Sequence, residues 1–382
     1  MPSLSRFPRQ YAIMIFLLSM LFSPADAAGA LGDTTIELLL KTMTMEEKAG
    51  QMVLVYHSDY EFLHSHKVGG VLIMQNMLEK PSALRAQLRH AQENLPIPLF
   101  VAIDQEGGAV NRLSPLIGWK KTPSAQKLSA WDPDSIQAYS SQVGTKLKQL
   151  CINMNLAPVV DPAANHEGIE TYMGLKNRSF GKDAEHIVPA ARAFIKGFSD
   201  QNVLCVIKHF PGYDVPANSD LEAAFSNADS QTIAGYAGVF NAIDPLMAAI
   251  MMTSIHYRSI CDTPAVFSPT MVAWARRASE NAIIMTDDLW TTSLRHFILP
   301  DDAVHPVRYP DSAFTHLVTC AVRAGNDMLM ITYPQKVPLI IHAIMTMAKD
   351  DASVAEHIDS AVRRILRAKQ RIGLIGNVSD RN

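Results

Sequence analysis

Four cysteines in 382 residues, Cys151, Cys205, Cys261 and Cys320, form no C-x-x-C pair and no metal-ligand spacing. That offers no zinc module or redox motif. Cys151 and Cys205 lie in or beside apolar runs, so buried free thiols are expected, although an exported chain could pair them. No G-x-G-x-x-G turn follows an early strand, which removes the mark of a dinucleotide-binding doubly wound sheet. No charge of one sign dominates: 34 Lys and Arg stand against 37 Asp and Glu. Without a basic block there is no nucleic-acid surface, and without an acidic tail there is no disordered segment of that kind. Repeats, low-complexity stretches and flexible linkers are absent too, which leaves one domain.

Residues 1–28 differ from the rest. Arg6 and Arg9 precede an apolar run from Tyr11 to Phe22, then Pro24 and Ala25-Asp26-Ala27. This is the pattern of a secretory signal peptide. The run is short for a membrane anchor. Export, to the periplasm or the medium, is expected, with residues 29–382 as the folded domain.

Within that domain, apolar runs alternate with segments of helical period. Eight runs read as strands: Met52–Tyr56, Gly70–Met74, Leu99–Asp104, Met154–Asp161, Val203–His209, Ala249–Tyr257, Ala282–Asp287 and Met328–Thr332. Helical spacing marks Asp183–Phe198, Pro269–Ala278 and a tail from Val354, closed by Gly373 and Gly376. Strands alternating with helices imply parallel βαβ units, and eight of them fit an α/β fold, a single-domain (β/α)8 TIM-type barrel.

The polar residues follow the same frame. Asp104 and Asp161 close the third and fourth runs, Lys208 and His209 the fifth, and Asp287 and Asp288 the seventh, with His256 near the end of the sixth. The C-terminal strand ends of such a barrel form its active face. Charges converging there are costly to explain as packing, because buried charges need partners. Arg112 and Arg178 on loops suit hydroxyl or carboxylate recognition. Glu106 reads as structural, a carboxylate accepting the backbone N–H groups of a Gly-Gly turn. Lys208 alone would also admit Schiff-base chemistry of the aldolase kind.

Seven ordered motifs narrow the choice: MTMEEKAGQM (43–52), AIDQEGGAVNRL (102–113), APVVD (157–161), NRSFGKD (177–183), KHFPG (208–212), TDDL (286–289) and AGNDMLM (324–330). With these, the chain resembles family 3 glycoside hydrolases, specifically the single-domain bacterial β-N-acetylglucosaminidases of peptidoglycan recycling. The resemblance spans the whole mature chain. It implies that Asp287 is the nucleophile of a retaining hydrolysis. It also implies that Asp104, Arg112, Arg178, Lys208 and His209 bind the sugar, with His256 beside them. The implied partner is an N-acetylglucosamine-containing glycan or muropeptide. Neither a cofactor nor a stable protein partner is implied. Asp288 is expected to start a helix.

The chain departs from the family around proton transfer. The family carries an Asp-Ser-His acid/base on the loop after KHFPG; here that stretch reads Asn218-Ser219-Asp220. His-Gly after KHFPG is replaced by Tyr213-Asp214, the arginine after D-Q-E-G-G by Ala109, and the sixth-strand motif by Ser254-Ile255-His256. Three outcomes stay open. Asp220 takes over as acid/base, Asp214 does so with Asp220 in support, or the chain binds glycans with impaired cleavage.

Overall fold

The computed structural model describes residues 34–243, 248–300 and 308–376; the predicted signal peptide lies outside them. Eight parallel strands close a barrel in chain order: β1 Val53–Tyr56, β2 Gly70–Ile73, β3 Phe100–Ile103, β4 Met154–Asn155, β5 Leu204–Phe210, β6 Ala249–Met252, β7 Ile283–Asp288 and β8 Met328–Ile331. β1 pairs with both β2 and β8, which closes the ring. Parallel strands lie under helices outside and side chains inside. Their sequences are therefore unbroken apolar runs, and β2, β3, β5 and β6 are buried throughout.

The helices begin and end where local chemistry says they should. Thr44 and Glu47 make a reciprocal capping box for Met45–Gln51. Asp183 caps Ala184–Ser199, and Ser268 caps Pro269–Ala278. The tail is one helix, Ala352–Arg371, whose buried stripe runs from Val354 through Ile358, Val362 and Ile365 to Leu366. Gly373, at φ 77°, follows in the left-handed region that favours glycine.

Two of the eight runs are shorter as strands than their apolar length suggests. The fourth pairs only over Met154–Asn155; past a cis Ala157–Pro158 bond, where proline has no N–H for a ladder, it touches β5 at Val159. The sixth stops at Met252. His256–Tyr257 then pair with Phe225–Ser226 in a separate ribbon outside the barrel. His256 is thus not a barrel strand end, contrary to the expectation from its apolar run.

At the base of β7 and β8, Asp327 of the AGNDMLM motif takes Arg364 at 2.7 Å, the Ile284 amide at 2.8 Å and Arg276. That aspartate staples two neighbouring strands to two outer helices. The four cysteines are unpaired, Cys205 buried and the others half-buried. Among the described residues, no helix is long and apolar enough to cross a membrane.

Candidate active site

β5 carries the centre. Its apolar half ends at Ile207, and Lys208 and His209 continue the strand, both buried. A buried ammonium needs anionic partners. Lys208 has two, each at 2.7 Å: Asp104 at the end of β3, and Glu106 just beyond. Glu106 in turn holds Arg178 in a two-pronged pair, Nε at 2.7 Å and Nη2 at 2.8 Å. Burial would raise the Glu106 carboxyl, but the charges of Arg178 and Lys208 outweigh it and hold the group well below the usual range. The Lys208 ammonium is likewise stabilised: burial lowers it, and the Asp104 and Glu106 charges reverse that.

Glu106 is therefore not a turn acceptor, as its place before Gly107-Gly108 suggested. The Gly108 amide goes to the Thr122 carbonyl instead. The turn depends on glycine for a different reason. Gly107 sits at φ 91°, and a Cβ there would lie 2.1 Å from the Pro123 carbonyl oxygen. The turn sends the chain back along Val110–Asn111 to Arg112, whose buried Nε has no partner among the described residues.

His209 is fixed by Asp161. Asp161 accepts His209 Nδ1 at 2.7 Å and the His209 amide at 3.0 Å, and its first oxygen also takes the Tyr213 amide at 2.8 Å. Asp161 is itself fully buried. With Nδ1 so engaged, Nε2 is left as the ring's free position.

The nucleophile candidate, Asp287, stands at the end of β7. Burial raises the Asp287 carboxyl; the His209 charge opposes that, Asp220 adds to it, and Lys208 opposes it again. Asp287 therefore shares one electrostatic environment with Lys208, His209 and Asp220. Asp220 is open to solvent, yet protein surrounds its carboxyl closely enough that desolvation is the largest influence on it, upward. The neighbouring Asp288 charge pushes it further, while His209 and Arg178 pull it down.

Asp288 does not start a helix. The helix Thr292–Ile298 is preceded by Thr291, which makes no side-chain cap. Asp288 instead accepts the amides of Trp290 at 3.0 Å and Thr332 at 3.1 Å, and the Thr332 hydroxyl at 2.5 Å. It ties the end of β7 to the end of β8. Burial raises its carboxyl to about 6 despite those bonds.

Two further candidates are committed elsewhere. Asp214 is buried against the Ser226 hydroxyl at 2.6 Å, with its other oxygen unpartnered, and burial raises it. The His256 ring bonds the Cys261 carbonyl at 2.9 Å and stands among Phe225 and Phe297. The fold thus gathers Asp104, Arg178, Lys208, His209, Asp220 and Asp287, and sets Asp214 and His256 in the surrounding loops. Tyr56, at the end of β1, joins the group: burial raises its phenol, and the charges of Asp288, Arg112, Asp104 and Asp220 all reach it. Its place at a strand end was its only mark in the sequence. A hollow at the opposite, N-terminal end of the barrel, between Leu39, Gln51, Lys67 and Ile97, contains none of these groups. Among the described residues no cluster of three metal-ligating side chains occurs.

Comparison with known proteins points the same way. A β-hexosaminidase of Glaesserella parasuis is 28% identical over 244 residues, which span 60% of this chain and 68% of the relative. One from Alkalilimnicola ehrlichii is 26% identical over 294 residues, 72% of this chain and 77% of its own. Among solved structures, the β-N-acetylhexosaminidase of Beutenbergia cavernae superposes with a TM-score of 0.71 at 28% identity, over 86% of this chain and 99% of that one. Residues 44–368 match the model of the glycosyl hydrolase family 3 N-terminal domain, and the chain belongs to that family of glycosyl hydrolases.

Proposed function

We propose that the protein is a retaining β-N-acetylhexosaminidase that releases terminal N-acetylglucosamine from peptidoglycan fragments. Asp287 serves as nucleophile and Asp220 as acid/base. The observation that carries the reading is a pair of carboxyls, Asp287 at the end of β7 and Asp220 on the loop docked against the helix that follows it. Burial raises both; the Asp220 charge adds to the rise at Asp287 and the Asp288 charge to that at Asp220, while Lys208 opposes it at Asp287 and Arg178 at Asp220. Two carboxyls set in different surroundings can divide nucleophile and acid between them.

The reaction then runs in two balanced halves. The Asp287 carboxylate attacks the anomeric carbon as the bond to the leaving oxygen breaks, and that oxygen takes the Asp220 proton. Water next attacks the glycosyl-enzyme, returns a proton to Asp220 and frees Asp287. Asp104, Arg112 and the Glu106–Arg178–Lys208 network offer acceptors and donors for the sugar hydroxyls. Asp220 is preferred to Asp214 because one Asp214 oxygen is already engaged by the Ser226 hydroxyl at 2.6 Å. The peptidoglycan substrate and the exported location rest on the motif pattern and on residues 1–28.

The test is turnover of a nitrophenyl N-acetyl-β-glucosaminide, with stereochemistry followed by NMR. Wild type should give the β-product first. Asp287→Ala should lose on the order of 10³-fold or more in kcat. A fluorosugar should label Asp287, located by peptide mapping. Release of N-acetylglucosamine from muropeptides tests the substrate class, and intact mass of the secreted protein tests removal of residues 1–28. Binding of muropeptides with no turnover would leave a glycan-binding protein instead.

A further inference from the structure

The Ser219–Asp220 peptide has a partner for every backbone polar group, each from a different residue. The Ser219 amide donates to the Tyr213 hydroxyl at 2.8 Å, and the Asp220 amide to Asn218 Oδ1 at 3.1 Å. The Ser219 carbonyl accepts the Ser293 amide at 3.1 Å, and the Asp220 carbonyl the Thr292 amide at 3.2 Å. Ser293 and Thr292 open the helix that follows Asp287 in the chain. Ser219 and Asp220 are therefore docked on the helix that follows Asp287, with each of their own backbone polar groups matched.

Tyr213 joins this dock to the floor of the site. Its amide bonds Asp161, the residue that also holds His209. Its hydroxyl donates to the Ala217 carbonyl at 2.7 Å and accepts from Ser219, spanning the loop from inside. The ring is buried, edge-on to His209 at 5.7 Å between centroids and 6.2 Å from Tyr172. Tyr213 thus links Asp220 to His209, its hydroxyl through Ser219 and its backbone amide through Asp161.

We infer that Tyr213 is a positioning residue for proton transfer: its hydroxyl sets the Asp220 carboxyl at the leaving-group oxygen. This rests on Asp220 being the acid/base. A general acid contributes about 10² to 10⁴ in rate, and small misplacements forfeit much of it. Removing the hydroxyl should therefore slow only the steps that need a proton.

The experiment compares Tyr213→Phe with Asp220→Asn on two aryl N-acetyl-β-glucosaminides, one with a good leaving group and one with a poor one. Tyr213→Phe should lose on the order of 10-fold or more in kcat on the poor leaving group, and less than about 3-fold on the good one. KM should hold. In the Asp220→Asn background the same change should cost nothing further, because both act through one proton. Ser219→Pro, which lacks the amide that meets the hydroxyl, should reproduce the pattern if the phenylalanine variant does not fold. Equal loss on both substrates, or full additivity with Asp220→Asn, would overturn the role of Tyr213. Should Asp220→Asn itself show no dependence on leaving group, the acid/base reading fails instead, and the two failures are told apart.

Discussion

Glu106 shows how a residue's neighbours in space redefine it. In sequence it precedes two glycines and resembles a turn residue; in the fold it is the shared anion of two buried cations. Breaking one member of a buried ion network leaves the others uncompensated and costs about 3–5 kcal/mol. Glu106→Gln should therefore destabilise the protein by roughly that amount in chemical denaturation, and raise KM as Lys208 and Arg178 lose their alignment. The same logic applies to the pair at the reaction centre. Activity should rise as Asp287 loses its proton and fall as Asp220 loses its own. Burial raises both carboxyls from their ordinary values, each against opposing charge beside it. The profile of kcat/KM should be a bell whose alkaline limb belongs to Asp220 and disappears in Asp220→Asn.

At the scale of elements, the ends of strands decide more than their middles. β7 and β8 are held together past their ladder by Asp288, which takes two amides and a hydroxyl. At about 1 kcal/mol net for each bond, Asp288→Ala should lower Tm by several degrees, seen by calorimetry. It has a second, independent consequence. The Asp288 anion helps to raise Asp220, so its removal should move the alkaline limb to lower pH. The ends of β4 and β6 teach the complementary lesson. Both apolar runs continue past the ladder, because loop residues over the barrel are also buried. Hydrophobicity alone does not say which neighbour a buried segment pairs with. That is why His256 read as a strand end, although it belongs to an outer ribbon with Phe225 and Ser226.

Across the whole molecule, the end of the barrel away from the site holds an unexpected charge. Lys369, from the last helix, is fully buried, with the Gln51 side-chain oxygen at 2.7 Å and the Phe100 ring as its partners among the described residues. Burial pushes its ammonium down to about 7. An unfolded lysine keeps its proton to about 10.4. Between those values the unfolded chain binds more protons, so stability should climb with pH across that window and be lowest below it. Lys369→Met should remove that slope, up to about 1.4 kcal/mol per pH unit, and raise stability most below pH 7. Urea denaturation of both proteins from pH 6 to 9 checks the sign.

Read unaided, the chain determined its barrel and where the reactive groups sit along it. A parallel strand buried on both faces must be apolar, and a functional side chain must interrupt that run at its C-terminal end. Lys208-His209 and Asp287 are such interruptions, and local chemistry suffices to see them. Partnership was beyond its reach. Whether Glu106 serves a turn or two cations depends on Arg178 and Lys208, and what the Tyr213 amide meets depends on Asp161; these partners lie far along the chain and are brought together by closure of the ring. Electrostatic and hydrogen-bond energies act over a few ångströms of space, and linear order does not encode those distances.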